Sequence, residues 1–181
     1  LFVGYIYLYN PCYLKLLNLL KPSDIISVKT NWEKFGSFKE DLSQNLLVHE
    51  LSILVGLLQA FPEEIKIKKN VGEETKTDIL SLELIFNNCK AQININRVSD
   101  KKEKKIIIET NIGEKLIWTE NVLSMKTIDK KEQIILENKK ETLKEEIMAF
   151  LACIKKNISP DEEVRDVFIA ESIKKLSYSY V

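Results

Sequence analysis

Apolar and polar positions recur with two different periods along this chain, and the change of period divides it into three stretches. Residues 1–9 are mostly apolar and rich in aromatic and β-branched side chains, which predicts a buried strand ending at Asn10-Pro11. Asn10 is placed to cap a helix with Pro11 in its first turn, where the missing amide proton costs nothing. Leu14, Leu17 and Leu20 supply that helix with a buried stripe. Residues 25–32 alternate, with Ile26, Val28 and Thr30 set against Ser27 and Lys29, and predict a second strand. A polar loop over 33–41, carrying Lys34, Phe35, Gly36 and Phe38, leads to a helix that Ser43 caps. That helix runs to about Phe61 and stops before Pro62.

From 64 to 138 the period is two, and strands are predicted at 65–67, 79–86, 91–98, 105–110, 115–118, 122–128 and 133–136. Asn87-Asn88, Ser99-Asp100 and Asn111-Ile112-Gly113 punctuate them at hairpin spacing, so the sheet is mostly antiparallel. Gln92, Asn94 and Asn96 share one side of their strand, so that face is polar and meets either water or another subunit. Two helices close the chain. Thr142 and Glu145 form a capping box ahead of Leu143, Ile147, Phe150, Leu151 and Ile154, read as a core stripe. Ser159-Pro160 opens the last helix, with Val164, Val167, Phe168 and Ile173 on its inner face. The expectation is a single α+β domain over residues 1–181, an open, mostly antiparallel sheet with helices packed on one face.

Composition narrows the function without naming it. Lys and Arg total 27 and Asp and Glu total 27, so no global field steers the protein to nucleic acid or to an anionic membrane. The basic run Lys101-Lys102-Glu103-Lys104-Lys105 has no neighbouring aromatics and reads as a solvated turn. The N-terminal apolar segment is too short to span a bilayer and has no cleavage-site pattern. Cys12, Cys89 and Cys153 are far apart and the chain has 1 His, which excludes the usual Cys/His zinc site. They read as reduced thiols of a cytoplasmic protein.

The 5 glycines stand singly at 4, 36, 56, 72 and 113, so neither a dinucleotide nor a Walker phosphate loop can be drawn through them. No serine nucleophile elbow and no HExxH motif exist. The acidic pairs Glu73-Glu74 and Glu162-Glu163 fall in a turn and at a helix start, where they are solvated or favour the helix dipole. His49 is left as the one candidate for proton transfer near neutral pH, on a helix where a packed core imidazole is the alternative.

The segments Gly4-Tyr5-Ile6-Tyr7-Leu8-Tyr9-Asn10-Pro11, Asn45-Leu46-Leu47-Val48-His49-Glu50-Leu51-Ser52-Ile53-Leu54 and the closing Thr142–Lys156 stretch follow one another in an order that resembles the C-terminal half of Gfo/Idh/MocA oxidoreductases. The resemblance spans essentially the whole chain. It implies the substrate-binding and oligomerisation domain of an NAD(P)-dependent sugar, nucleotide-sugar or cyclitol dehydrogenase. It also implies that the N-terminal Rossmann domain, with its cofactor loop and the lysine of a Glu-Lys-Pro motif, lies upstream of Leu1 and is absent from this chain. By the same resemblance His49 is the catalytic base or substrate anchor. Asn45 stands where the family has an aspartate; its amide can hydrogen-bond but cannot take a proton. Tyr9, Asn10, Trp32 and Lys34 are the implied substrate-binding wall, with core packing the alternative for Tyr9 and Trp32. The resemblance further implies a homodimer through the open sheet, a small polyhydroxylated substrate, and neither nucleic acid nor membrane as partner. A degenerate, non-catalytic paralogue that keeps only dimerisation or binding is the second reading, motivated by Asn45 and the missing cofactor half. An unrelated α+β binding module is the third.

Overall fold

A computed structural model describes residues 3–34, 42–73, 75, 77–158 and 163–178; within helices, the side chains of residues 43–44, 163–164 and 173–178 are not described. The elements run as a 3-10 turn Ile6–Tyr9, helix α1 Pro11–Leu19, a 3-10 turn Pro22–Asp24, strand β1 Ile25–Glu33 and helix α2 Leu42–Leu58. Strands β2 Glu64–Val71, β3 Ile79–Ile85, β4 Lys90–Asn96, β5 Glu103–Thr110, β6 Lys115–Thr119, β7 Val122–Lys126 and β8 Gln133–Glu137 follow. Helices α3 Thr142–Lys156 and α4 Glu163–Tyr178 end the chain.

The strands form one 8-stranded sheet in the order β2-β3-β4-β1-β5-β6-β7-β8. Only β1 and β4 run parallel; every other neighbouring pair is antiparallel, by short connections except between β1 and β5, which are distant in sequence. Gly113, with φ of 78°, takes the left-handed turn between β5 and β6 that a side chain would strain. One face of the sheet is core: Val28, Thr30 and Trp32 of β1 lie beside Ala91, Ile93 and Ile95 of β4 and Ile106 and Ile108 of β5. Over it lies α2, buried on nearly every side through Leu46, Leu47, Leu51, Leu54, Leu57 and Leu58. The opposite face carries Ser27, Lys29, Asn31, Gln92, Asn94 and Asn96. The α+β architecture, the mostly antiparallel sheet and all seven strands of the middle stretch match the sequence expectation.

Four local expectations do not. Residues 6–9 form a 3-10 turn and not a strand: Tyr5 and Leu8 are buried three apart, the period of that turn, and pack toward α2 and α3. In α1 the buried residues are Cys12, Tyr13 and Leu16, while Leu14 and Leu17 are exposed. The helix is apolar on more than one face, so periodicity alone left its inner side open. Ser43 lies inside α2, which begins at Leu42 and ends at Leu58. Thr142 is not a cap: α3 is preceded by Glu141 without a side-chain cap bond, and the Thr142 hydroxyl accepts a hydrogen bond from Asn10.

The stripe of α3 is the largest departure. Leu143, Ile147, Phe150, Leu151 and Ile154 are 40–59% exposed, so the apolar face is real but is left largely open among the described residues. On α4, which packs against α2, Val167 is also exposed while Ile169 and Ser172 are buried. Phe168 stacks on Phe61 at 4.3 Å between ring centres. The Ser159-Pro160 start, and the side chains of Val164 and Ile173, lie outside the described residues.

Candidate functional site

A cleft of about 290 Å³ opens where the end of β1 meets the start of β5, closed by the first 3-10 turn, the β6–β7 turn and the start of α3. Ile6, Tyr7 and Asn10 enter from the N-terminal segment. Trp32, Glu33 and Lys34 come from β1 and its exit, and Lys102, Glu103 and Lys104 from β5 and its approach. Glu120, Asn121 and Thr142 complete the wall. Asn10 holds the corner: its Oδ1 accepts the Cys12 amide at 2.8 Å and caps α1, and its Nδ2 donates to Thr142 Oγ1 at 3.2 Å. At the rim, the Ser99 hydroxyl donates to Glu33 at 3.1 Å.

The floor is aromatic. Tyr7 meets Trp32 edge to face at 5.5 Å, with 83° between the rings, and meets the His49 ring at 5.4 Å and 75°. Trp32 and His49 lie 6.2 Å apart. Trp118 stands behind, 6.3 Å from Tyr7, its indole N–H donating to the Glu120 carbonyl at 2.8 Å. Lys104 Nζ lies 4.3 Å from the centre of the Tyr7 ring and 4.0 Å from that of Trp32, and forms a buried ion pair with Glu50 Oε1.

Electrostatics follow from burial. Removal from water pushes the His49 imidazole down to about 4, helped by the Lys104 charge and opposed by Glu50. His49 is therefore neutral at pH 7, and its buried Nδ1 has no hydrogen-bond partner. Tyr7 is pushed up to about 12, by burial first and then by the Glu50 and Glu120 carboxylates, so its phenol stays protonated. Burial pulls the Lys104 ammonium down from its usual range while Glu50 opposes the shift. Cys12 and Cys89 are buried free thiols, each pushed up to about 11 chiefly by burial.

Of the residues singled out in the sequence, Asn10, Trp32 and Lys34 line the cleft and Tyr9 does not; Tyr7 takes that place. His49 sits one layer back, against Tyr7 and Trp32, and Asn45 is half-buried one turn earlier on α2. Lys104 and Glu50 went unrecognised, and the solvated-turn reading of the 101–105 run is wrong at Lys104, which is 8% exposed. The signal existed: extending the inward alternation of Ile106 and Ile108 by one step places Lys104 on the core side. Likewise Glu50 interrupts the apolar faces of α2.

Among the described residues no group of three or more His, Cys, Asp or Glu side chains converges to hold a metal ion. No described helix is long and apolar enough to cross a membrane. Gly56 lies inside α2 against Tyr13 and Gly113 in a hairpin turn, so neither belongs to a glycine loop that cradles a pyrophosphate.

No protein-family model matches the sequence, and no curated protein matches it. Solved structures do match the fold. A dehydrogenase from Clostridium difficile superposes with a TM-score of 0.81 at 19% identity, covering 98% of this chain and 61% of the other. The UDP-N-acetylglucosamine 3-dehydrogenase of Acidithiobacillus ferrooxidans gives 0.82 at 19% identity, over 96% and 59%. A 3-ketoreductase from Actinomadura kijaniata, solved with TDP-benzene and NADP, gives 0.74 at 13% identity, over 96% and 59%. The chain thus spans about three-fifths of the length of the solved structures it matches. Its fold is that of the C-terminal domain of Gfo/Idh/MocA-type dehydrogenases.

Proposed function

We propose that this chain is the substrate-binding and pairing half of an NAD(P)-dependent oxidoreductase acting on a sugar, nucleotide sugar or cyclitol. The observation that carries this reading is a convergence: Asn10, Trp32 and Lys34 meet at one cleft, and the single histidine contacts two aromatic rings of its floor. A carbohydrate ring suits such a site, its C–H face against Tyr7 or Trp32 and its hydroxyls within reach of Asn121, Lys34 and Thr142. His49 is the proton-handling candidate of the site, with Asn45 orienting but not accepting, although it stands one layer behind Tyr7 and Trp32 and burial lowers its basicity. In this reading the dinucleotide is held by a separate nicotinamide-binding half, and the share of these residues is binding and proton handling.

The polar, half-buried sheet face supports a homodimer, and the three free thiols suit the reducing cytoplasm. Light scattering of the purified chain is expected to give twice the monomer mass; a monomer at high concentration contradicts the pairing. The ligand test is fluorescence titration with myo-inositol, glucose and UDP-N-acetylglucosamine. At least one produces a saturable change in the Trp32 signal that Trp32→Phe removes. No saturable response to any of the three at millimolar concentration sinks the reading. The amide at Asn45 favours a second reading, a binding module without turnover. Joined to a nicotinamide-binding half, such a module binds ligand but stays inactive until Asn45→Asp is introduced.

A further inference from the structure

The Lys104–Glu50 pair is the least expected feature of the cleft, because two opposite charges are buried where strand and helix otherwise carry mostly apolar side chains. A buried pair is weak evidence for stability, since desolvation offsets much of the attraction. Its placement is more informative. Lys104 reaches from β5 into the cleft wall, and its ammonium lies over the faces of both Tyr7 and Trp32. Those are the two rings that His49 contacts. Three elements, β1, β5 and α2, and the first 3-10 turn therefore meet at one charged point.

We propose that Lys104 is a positioning residue for His49: clamped by Glu50 over Tyr7 and Trp32, it fixes the two rings against which the imidazole packs. The proposal rests on the reading of His49 as a residue of the site and adds the group that holds its surroundings in place. A second proton on His49 would place two cations around the same pair of rings, and among the described residues the carboxylate next to them, Glu50, already pairs with Lys104 through Oε1. Among the described residues, the charged and titratable groups around His49 are Lys104 from β5, Tyr7 from the N-terminal turn and Glu50 on its own helix. Glu120 acts at longer range through Tyr7, and β1 contributes only the Trp32 ring.

The chain has 1 His, so a nitrogen-15 imidazole titration of the full chain reads His49 without ambiguity. In the wild type the midpoint is expected at about 4, not 6.5. Lys104→Met raises it by about one pH unit or more, a tenfold gain in proton affinity. Lys104→Arg, which keeps the charge, leaves it low. If Lys104→Met does not fold, the double variant Lys104→Met/Glu50→Gln strands no carboxylate. Its midpoint also rises, by less, because the lysine charge outweighs the glutamate's at this site. A wild-type midpoint near 6.5, an unchanged midpoint in the folded Met variant, or an equal rise in Lys104→Arg overturns the proposal. The titration contains neither substrate nor cofactor, so its failure leaves the ligand-binding reading standing, and failure of ligand binding leaves this result intact.

Discussion

Asn10 and Thr142, 132 positions apart, are joined by a hydrogen bond of 3.2 Å from the Asn10 amide to the Thr142 hydroxyl. The same asparagine caps α1 through Cys12, so one side chain fixes a helix start and ties α3 to the cleft corner. Asn10→Ala removes both bonds and is expected to cost about 1–2 kcal/mol of folding stability, the range for loss of an N-cap. Asn10→Ser restores the cap but not the tie, and recovers most of that loss. Urea unfolding of the three proteins measures the difference. Equal stability of wild type and Asn10→Ala would show that the corner contributes nothing.

The buried ion pair makes a separate stability prediction. Lys104→Met leaves Glu50 as an uncompensated charge at 0% exposure and is expected to cost about 3–5 kcal/mol. Replacing both residues with apolar ones of similar volume is expected to return stability to within about 1 kcal/mol of wild type or above it. Denaturant midpoints of the two single variants and the double variant form the cycle that checks this. Additive losses in the double variant would mean the two side chains are not coupled.

How much of this was legible in the sequence depended on the kind of signal. Strands such as β4 and β5 announce themselves because alternation and turn residues are local properties. The cleft was half legible: Asn10 carries a capping signature, and Trp32 and Lys34 follow from the family order, but Tyr7 rather than Tyr9 faces it, because the 3-10 turn rotates residues differently from a strand. Lys104 hid in a run of charges whose composition spoke for solvent while its register spoke for the core. Helix α3 shows the remaining limit. Amphipathic spacing says which face is apolar, and whether anything covers that face depends on atoms far away in the sequence or outside the chain.

That uncovered face can be altered at little cost to folding. Ile147 is 48% and Ile154 59% exposed on α3, so Ile147→Lys with Ile154→Glu is expected to change folding stability by no more than about 0.5 kcal/mol per site. Dynamic light scattering at high concentration is expected to show less non-specific association, since the patch shrinks. A loss of several kcal/mol would place these side chains in a core after all.

Gly56 in the middle of α2 invites the opposite experiment. Alanine there gains about 1 kcal/mol of helix propensity in isolation. In this fold its Cβ would run into the Tyr13 hydroxyl and lie 3.3 Å from the ring carbon that bears it. Gly56→Ala is therefore expected to destabilise the protein, and Tyr13→Phe, by removing that oxygen, to recover part of the loss. A double-mutant cycle on thermal midpoints tests the coupling, which should exceed about 0.5 kcal/mol for residues in contact. Additivity would remove Tyr13 as the reason glycine stands at 56.

Acid sensitivity offers the cleanest check on the cleft, because a single imidazole is involved. His49 is held at about 4 in the folded chain against 6.5 for the free side chain. The folded state therefore binds fewer protons than the unfolded state between those values, and stability falls as pH drops through the window. At pH 7 the contribution is fully present; on acidification it fades with a slope of at most about 1.4 kcal/mol per pH unit. Urea unfolding at pH 7.0 and 5.0 is expected to show a loss of about 2 kcal/mol for the wild type by this route. In His49→Gln, which cannot titrate, that share of the loss disappears, and only the smaller decline of the carboxylates remains. An identical pH dependence in the two proteins would mean that the imidazole titrates normally in the fold and is not enclosed by Tyr7, Trp32 and Lys104.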